Sequence, residues 1–257
     1  MSTMNYSRIA QFYDTYIKTD FDFSFFIKES KNASHVLELM SGTGRLSIPL
    51  VEAGVHLTCV DNSPEMLIGL KEKLSKKGLS ACVHEMDVRD LSLKELFDLI
   101  IIPFHAFAEI LDHQDQQKVL RGIRQLLVEN GRFICTLHNP SVRLRSVNWK
   151  LQQLGEYPLL DDRGTLFLSA IQHYDEDNHI VNGTQFYEIY RPDGFMSSKS
   201  FLDINFYLHE KDVFQELVES EGFRVIKLYG DYSYGTFDKD KSPFMIWILE
   251  DKVQLMI

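Results

Sequence analysis

Apolar and polar residues recur along this chain with two periods, and the switches between them mark out the elements. Near the N-terminus Tyr6, Ile9, Tyr13 and Ile17 fall at helical spacing, which predicts an amphipathic helix. A second short helix is expected over "DFSFFIKES" (22–30). Short β-rich runs follow: "HVLEL" (35–39), "HLTCVD" (56–61), "ACVHEMD" (81–87), "FDLIIIPF" (97–104) and "RFICTLH" (132–138). Within the fourth, "LIII" is apolar throughout, as expected of a parallel strand covered on both faces. Helical patterns lie between these runs. One opens at "NSPEML", with Ser63 to cap it and Pro64 suited to its first position, and should stop at Gly78. Another, "DQQKVLRGIRQLLVENG" (115–131), is expected to run to its glycine, and Pro49 calls for a late helix start or a kink. This alternation predicts an α/β fold with a doubly wound, mostly parallel sheet and right-handed crossovers.

The pattern changes after about residue 140. Residues 141–160 show no clean period and give no element. "GTLFLSAIQHYD", "HIVNGTQFYEIYR" and "SFLDINFYLH" then read as three antiparallel strands joined at "EDN" and "PDG" turns. A helix over 210–223 and strands over 224–230 and 244–250 complete the chain. The ribbon reads as an insertion, so the expected organisation is a single domain over 1–257. A helical cap covers 1–34 and an antiparallel lid covers 140–208.

Composition narrows the function classes. Lys+Arg 27 against Asp+Glu 37 gives a net charge of −10, which argues against a nucleic-acid partner. The basic run "KEKLSKKG" (71–78) reads as a solvated helix face. Cys59, Cys82 and Cys135 are widely spaced and no Cys/His group has zinc spacing, so a reduced chain without a metal is expected. No secretory pattern opens the chain, and "FDFSFFI" (21–27) is too short and too charged to span a bilayer. A cytoplasmic protein with no membrane partner is expected.

The candidate chemistry starts in "LELMSGTGRLSIPL" (37–50), whose turn is open to three readings: a plain tight turn, a phosphate cradle or the floor of a cofactor site. Glu38 precedes Gly42, Thr43 and Gly44, and the next strand run ends on Asp61. In an open α/β sheet ligands bind beyond the strand ends. Glycines let backbone approach a ligand that a Cβ would displace. A strand-end carboxylate can accept from both hydroxyls of a ribose. Asp61 taken alone would equally cap the helix that follows. Together the features predict a cofactor containing adenosine. A dinucleotide fingerprint wants a small residue at its third glycine position, but the series here runs Gly42, Thr43, Gly44, Arg45, Leu46, Ser47. Glu38 also sits poorly beside a pyrophosphate and suits a cofactor with a positively charged end. An NAD(P)-dependent oxidoreductase is therefore the alternative, with a non-catalytic binding protein as a third reading.

"LELMSGTGR", "VDNSPEML", "EMDVRDL" and "FDLIIIPFHAFAEI", in this order, resemble the class I S-adenosylmethionine-dependent methyltransferases over residues 35 to 138. The resemblance implies a Rossmann-like seven-stranded sheet with an antiparallel last strand, and S-adenosyl-L-methionine as cofactor. It implies cofactor contacts from Glu38, Gly42 and Gly44 at the methionine moiety, and from Asp61 and Asn62 at the ribose. Met66, Asp87 and Val88 are implied at the adenine, with Pro103 and Phe104 where the fourth strand opens onto the methyl group. Met40 departs from the family, which often has glycine there. The implied reaction is in-line methyl transfer to a small-molecule N or O atom, in which the enzyme holds the nucleophile close and excludes water. His105 and His138 are the candidate bases, and His209 is discounted. Tyr6 and Tyr13 are candidates either to close over the cofactor, with a hydroxyl or a ring face near the sulfonium, or to pack this helix onto the sheet. The C-terminal "YGDYSYGTFDKDKSPFMIWI" resembles the ending of small-molecule methyltransferases, including amino-sugar N-methyltransferases and glycine methyltransferase relatives, whose antiparallel insertion roofs the acceptor pocket. Tyr232, Tyr234 and Phe237 are candidates to line that pocket or to pack the core. Open strand edges in the ribbon suggest a homodimer.

Overall fold

The computed structural model describes residues 4–159 and 163–252. Residues 1–3, 160–162 and 253–257, which the expected domain bounds include, lie outside them. In chain order, α1 (Ala10–Tyr16) and α2 (Phe23–Ser30) precede an alternating run. This comprises β1 (Val36–Leu39), α3 (Ser47–Glu52), β2 (Leu57–Asp61), α4 (Pro64–Lys77), β3 (Cys82–Glu85), β4 (Phe97–Ile102), α5 (His113–Leu126) and β5 (Leu127–His138). Next come α6 (Pro140–Arg143), β6 (Gln152–Pro158), β7 (Thr165–Asp175), β8 (Ile180–Tyr190) and β9 (Met196–Tyr207). The described chain closes with α7 (Lys211–Ser220), β10 (Phe223–Tyr229) and β11 (Phe244–Asp251).

The main sheet has seven strands in the order β10-β11-β5-β4-β1-β2-β3. Neighbours from β5 to β3 are parallel, whereas β11 runs antiparallel to both β5 and β10. This is the Rossmann-like sheet with a reversed last strand implied by the motifs. Strand order reverses between β1 and β4, and a crevice opens beyond their carboxyl ends. A second sheet, β6-β7-β8-β9, is wholly antiparallel.

Local chemistry explains most boundaries. Ser63 accepts from the Met66 amide, Pro64 starts α4, and Gly78 ends it in the left-handed region at φ 65°. Pro49 is tolerated because α3 begins only two residues earlier, so the missing N–H lies within the first turn. The helix expected over 115–131 stops at Leu126 instead. Leu127 already pairs with Phe97 in the sheet, and the chain then turns tightly with Asn130 at φ 59°. Gly131 is not a helix terminator. A Cβ there would press within 2.9 Å of the Val128 carbonyl oxygen, so the glycine serves a close backbone approach inside β5. The stretch that gave no element holds α6, a 3-10 turn over Leu144–Ser146, and the edge strand β6. It is too short in each piece to show a period.

The two faces of the main sheet carry separate cores. One packs Val119, Leu120 and Ile123 of α5 and Phe214 of α7 and continues into Ile204 and Phe206 of the second sheet. The other packs Phe25 and Phe26 of α2 with Leu67, Leu70 and Leu74 of α4. A third cluster joins Ile9 to Leu166, Tyr187 and Leu202, fixing the N-terminal segment on the antiparallel sheet. Phe214 meets Phe107 at 5.5 Å and Trp247 at 5.2 Å, ring to ring, with no exposure. Replacing Phe214 by alanine should therefore cost about 3–5 kcal/mol, read as a lower midpoint in urea with the slope unchanged.

Candidate active site

Beyond the ends of β1, β2, β4 and β5 lies a cavity of about 520 Å³, roofed by the N-terminal segment and by the antiparallel sheet. Its floor is set by the loop after β1. Met40, Gly42 and Gly44 all adopt positive φ there, at 58°, 56° and 81°. For a methionine this conformation costs about 1–2 kcal/mol, which explains why a glycine would be the easier choice at position 40. Gly42 lines the cavity, and a Cβ on it would meet only the Met66 Cε, at 3.8 Å. Gly44 does not line it. Its Cα faces the Leu70 side chain, which leaves no room for a Cβ, so this glycine turns the loop into α3 and is not a direct ligand contact.

Of the acidic residues lining this space, Glu38 and Asp61 stand on β1 and β2 and Glu109 lies beyond β4. Glu38 is buried and accepts a 2.6 Å bond from Ser47 Oγ, and burial pushes its pKa up to about 7. Asp61 accepts from the Gly42 amide at 2.8 Å with one oxygen and from the Ser63 amide at 2.9 Å with the other. It thus ties both the loop after β1 and the cap residue of α4 to the end of β2. Burial raises its pKa against the pull of those amides. Glu109, in a 3-10 turn after β4, accepts a 2.9 Å bond from Tyr6 Oη. Burial lifts it to about 7 as well, and it was not among the candidates read from the sequence. The one available signal was a charged residue inside the apolar run "HAFAEI".

Asn62, Met66 and Val88 line the same wall as Asp61. Asp87 also lines it, but both its oxygens are engaged by Arg89, at 2.9 and 2.6 Å, and Arg89 further pairs with Asp115 at 2.9 Å. The guanidinium holds the Asp87 carboxyl below its usual range. The chain leaves β4 through Pro103 and then places Phe104 and His105 at φ 55° and 65°, two consecutive strained residues at the crevice. The His105 ring stacks on His138 at 3.7 Å between centroids, with Phe244 5.3 Å away. Burial, with the positive charges of Arg143 and Arg45, drives the His105 pKa down to about 3, and burial holds His138 well below its ordinary value. The expectation that either histidine accepts a proton therefore needs correcting, since both are neutral imidazoles with little proton affinity.

The roof is fastened by polar contacts. Asp22 holds Arg45 through two 2.6 Å bonds, and the same guanidinium lies 4.3 Å from the Phe104 ring centroid. Asp14 accepts from Thr43 Oγ1 at 2.7 Å and pairs with Lys73 at 2.8 Å. Tyr13 lines the cavity edge-on to Tyr6 and Tyr16, and burial raises its pKa, so it stays protonated. Tyr16 Oη meets Tyr187 Oη at 3.0 Å, which joins this segment to the antiparallel sheet. Arg143 of α6, Gln172, Gln185 and Phe206 complete the wall on that side; the last three come from the strands expected to roof the pocket, whereas Arg143 fell in the stretch without a period. Tyr232, Tyr234 and Phe237 do not line it. Tyr232 and Tyr234 pack around Phe25 and Phe237 joins the core of the other face. His209 is buried among Phe107, Tyr207 and Phe214, away from the cavity. Among the described residues no group of three or more His, Cys, Asp or Glu is arranged to hold a metal ion, and no helix is long and apolar enough to cross a membrane.

Comparison with known proteins agrees with this geometry. A family model described as a methyltransferase domain matches residues 36–131. The chain is 28% identical over 235 residues to a glycine/sarcosine N-methyltransferase of Aphanothece halophytica, covering 87% of this chain and 79% of that one. A S-adenosylmethionine-dependent methyltransferase from Clostridium acetobutylicum superposes with a TM-score of 0.77 at 20% identity, over 95% of this chain and 98% of that one. The sugar N-methyltransferase KedS8 from Streptoalloteichus gives 0.72 at 17% identity, over 93% and 91%. The two structural likenesses show a shared fold.

The raised pKa of Glu109 has a consequence for stability. Its folded value of about 7 exceeds the ordinary 4.5, so its contribution is fully present below 4.5 and is lost as pH rises through 7. Glu109→Gln is therefore expected to gain melting temperature relative to the wild type between pH 5 and pH 8. Parallel melting curves across that range, with a constant difference as the contrary result, check this.

Proposed function

We propose that this chain, a class I S-adenosylmethionine-dependent methyltransferase, methylates the amine nitrogen of a small molecule. Bound S-adenosylmethionine supplies a methyl group made electrophilic by its sulfonium. The observation that carries the nitrogen assignment is the set of titratable groups around the cavity. An alcohol needs strong help in losing its proton during attack. The two histidines offer little, because burial and neighbouring guanidinium groups depress their affinity for a proton. An amine attacks in its neutral form and needs only a group that takes up the ammonium proton near neutral pH. Glu109, at about 7, is matched to that task. The N-methyltransferase relative and the sugar N-methyltransferase neighbour support the same reading.

The residues fit the cofactor. Glu38 has one oxygen held by Ser47 and a raised pKa, which suits a cationic ammonium drawn beside it. The bare face of Gly42 leaves room for the methionine moiety, while Asp61 and Asn62 stand at the ribose position and Met66 and Val88 at the adenine. Asp87, tied to Arg89, shapes the adenine edge chiefly by holding that arginine. Pro103 and Phe104 shape the wall by the methyl group. Tyr6 positions Glu109, and Tyr13 presents its ring and a neutral hydroxyl toward the sulfonium. His105 and His138 form a neutral aromatic platform under the acceptor.

The direct test is methyl transfer from labelled S-adenosylmethionine to a panel of primary amines and matched alcohols. Methylated amines with inert alcohols support the proposal, and the reverse result sinks it. Glu109→Gln should lower turnover at neutral pH and remove the inflection near 7 from the rate profile, since only the ionised carboxylate accepts a proton. A second expectation concerns Glu38. At pH 6 it is largely protonated, so pairing with the cofactor's ammonium should expel a proton. Titration with S-adenosylhomocysteine in buffers of different ionisation enthalpy should show that release. Glu38→Gln should abolish it and weaken binding by about 1.5–3 kcal/mol.

A further inference from the structure

Three arginines line the cavity, and their surroundings differ. Arg45 is neutralised by Asp22 and Arg89 by Asp87 and Asp115. Arg143 has no carboxylate within ion-pairing distance among the described residues. Its guanidinium donates to two neutral oxygens, Ser146 Oγ and Gln172 Oε1, each at 2.7 Å, and lies 5.2 Å from the Phe206 ring centroid. Burial lowers its pKa, the mark of a cation taken partly out of water without an anion to offset that loss. Gln172 belongs to β7 and Phe206 to β9, so these contacts aim the charge at the space beneath the antiparallel sheet. The loop of residues 40–45 has its own guanidinium in Arg45.

Resting on the N-methylation reading, we propose that Arg143 anchors a carboxylate on the acceptor, so that the substrate is an amine that also carries a carboxylate. Arginine's planar fork pairs with a carboxylate through parallel N–H bonds, and the low-dielectric wall strengthens the pair. The Phe206 ring that meets Arg143 also lies 5.5 Å from the His138 ring, which stacks on His105. A carboxylate held by Arg143 therefore seats the acceptor over that platform, with its amine directed inward. A singly charged carboxylate suits one guanidinium with two neutral companions, whereas a phosphate would leave most of its oxygens without donors. This assignment separates two acceptor classes found among the protein's relatives and neighbours, amino acids and amino sugars, in favour of the first.

The test uses the full chain saturated with S-adenosylhomocysteine and titrates it calorimetrically with acetate and, separately, with inorganic phosphate. Saturable acetate binding is expected, weakened at least tenfold by Arg143→Met and less by Arg143→Lys, with S-adenosylhomocysteine affinity and melting temperature retained in both. No acetate binding by the wild type, preference for phosphate, or acetate affinity indifferent to Arg143→Met would each overturn the proposal. A loss of S-adenosylhomocysteine affinity in Arg143→Met would overturn it too, by assigning the guanidinium to the cofactor's own carboxylate. Turnover provides the second arm, with glycine compared against glycinamide: only glycine, which carries the carboxylate, should be methylated efficiently at its amine, and Arg143→Met should erase that preference. Arg143-dependent acetate binding in a protein that methylates no amine would support the anchor and defeat the N-methylation reading. A preference for glycine over glycinamide that survives unchanged in Arg143→Met would defeat the anchor alone.

Discussion

Parallel strands β1 and β4 lie side by side at the point where the strand order reverses, and the segments that follow them part company beyond the sheet. Hydrogen bonding within the sheet cannot close the gap this leaves. Side chains at the strand ends therefore face a crevice whether or not they are apolar. Glu38, Asp61 and Glu109 occupy it, and each is a carboxylate removed from bulk water. Burial of a carboxylate is unfavourable unless something compensates. Asp61 is compensated inside the protein by two backbone amides, which is why it also holds the loop in place. Glu38 and Glu109 have one hydroxyl donor each, and their raised pKa values record the remaining deficit.

The same logic orders the rest of the site. The N-terminal segment stays over the crevice because its acidic and phenolic groups find partners on the domain beneath, through Asp14, Asp22 and Tyr6. Tyr16 and Tyr187 link that segment to the antiparallel sheet, so roof and lid act as one wall. Charges that find partners in this way are spent on architecture. Arg45, Arg89 and Asp87 belong to that group. Arg143 and the second oxygens of Glu38 and Glu109 do not, and their placement gives the cavity a cationic side under the lid and an anionic side toward the cofactor loop.

Strain is concentrated at the same place. Met40, Phe104 and His105 hold left-handed backbone conformations that side chains resist. Packing on both sheet faces supplies the support for this, since Phe104 is held under Arg45 and the His105 amide donates to Thr136 Oγ1. The turn after β4 is thereby fixed before any ligand arrives, which sets that wall of the cavity in advance.

Position along the strands made much of this readable from the chain alone. Alternating periods placed the strands and the main helices, strand-end position singled out Glu38, Gly42 and Asp61, and the family resemblance added Asn62, Met66, Asp87 and Val88, all of which line the cavity. These features are local: a cap, a glycine turn or an apolar run acts through its immediate neighbours. Others are not. That Gly44 meets Leu70, that Leu127 leaves its helix to pair with Phe97, and that Tyr232 and Tyr234 turn to Phe25 depend on residues far along the chain. The ionisation of His105 and His138 is set by burial and by guanidinium groups brought near by folding. Glu109 and Arg143 matter because the tertiary structure encloses one with a single phenol and leaves the other without an anion. Sequence determined which groups stand at the strand ends. Only the folded structure decided which charges are neutralised, because desolvation and pairing arise from chain segments that meet solely in three dimensions.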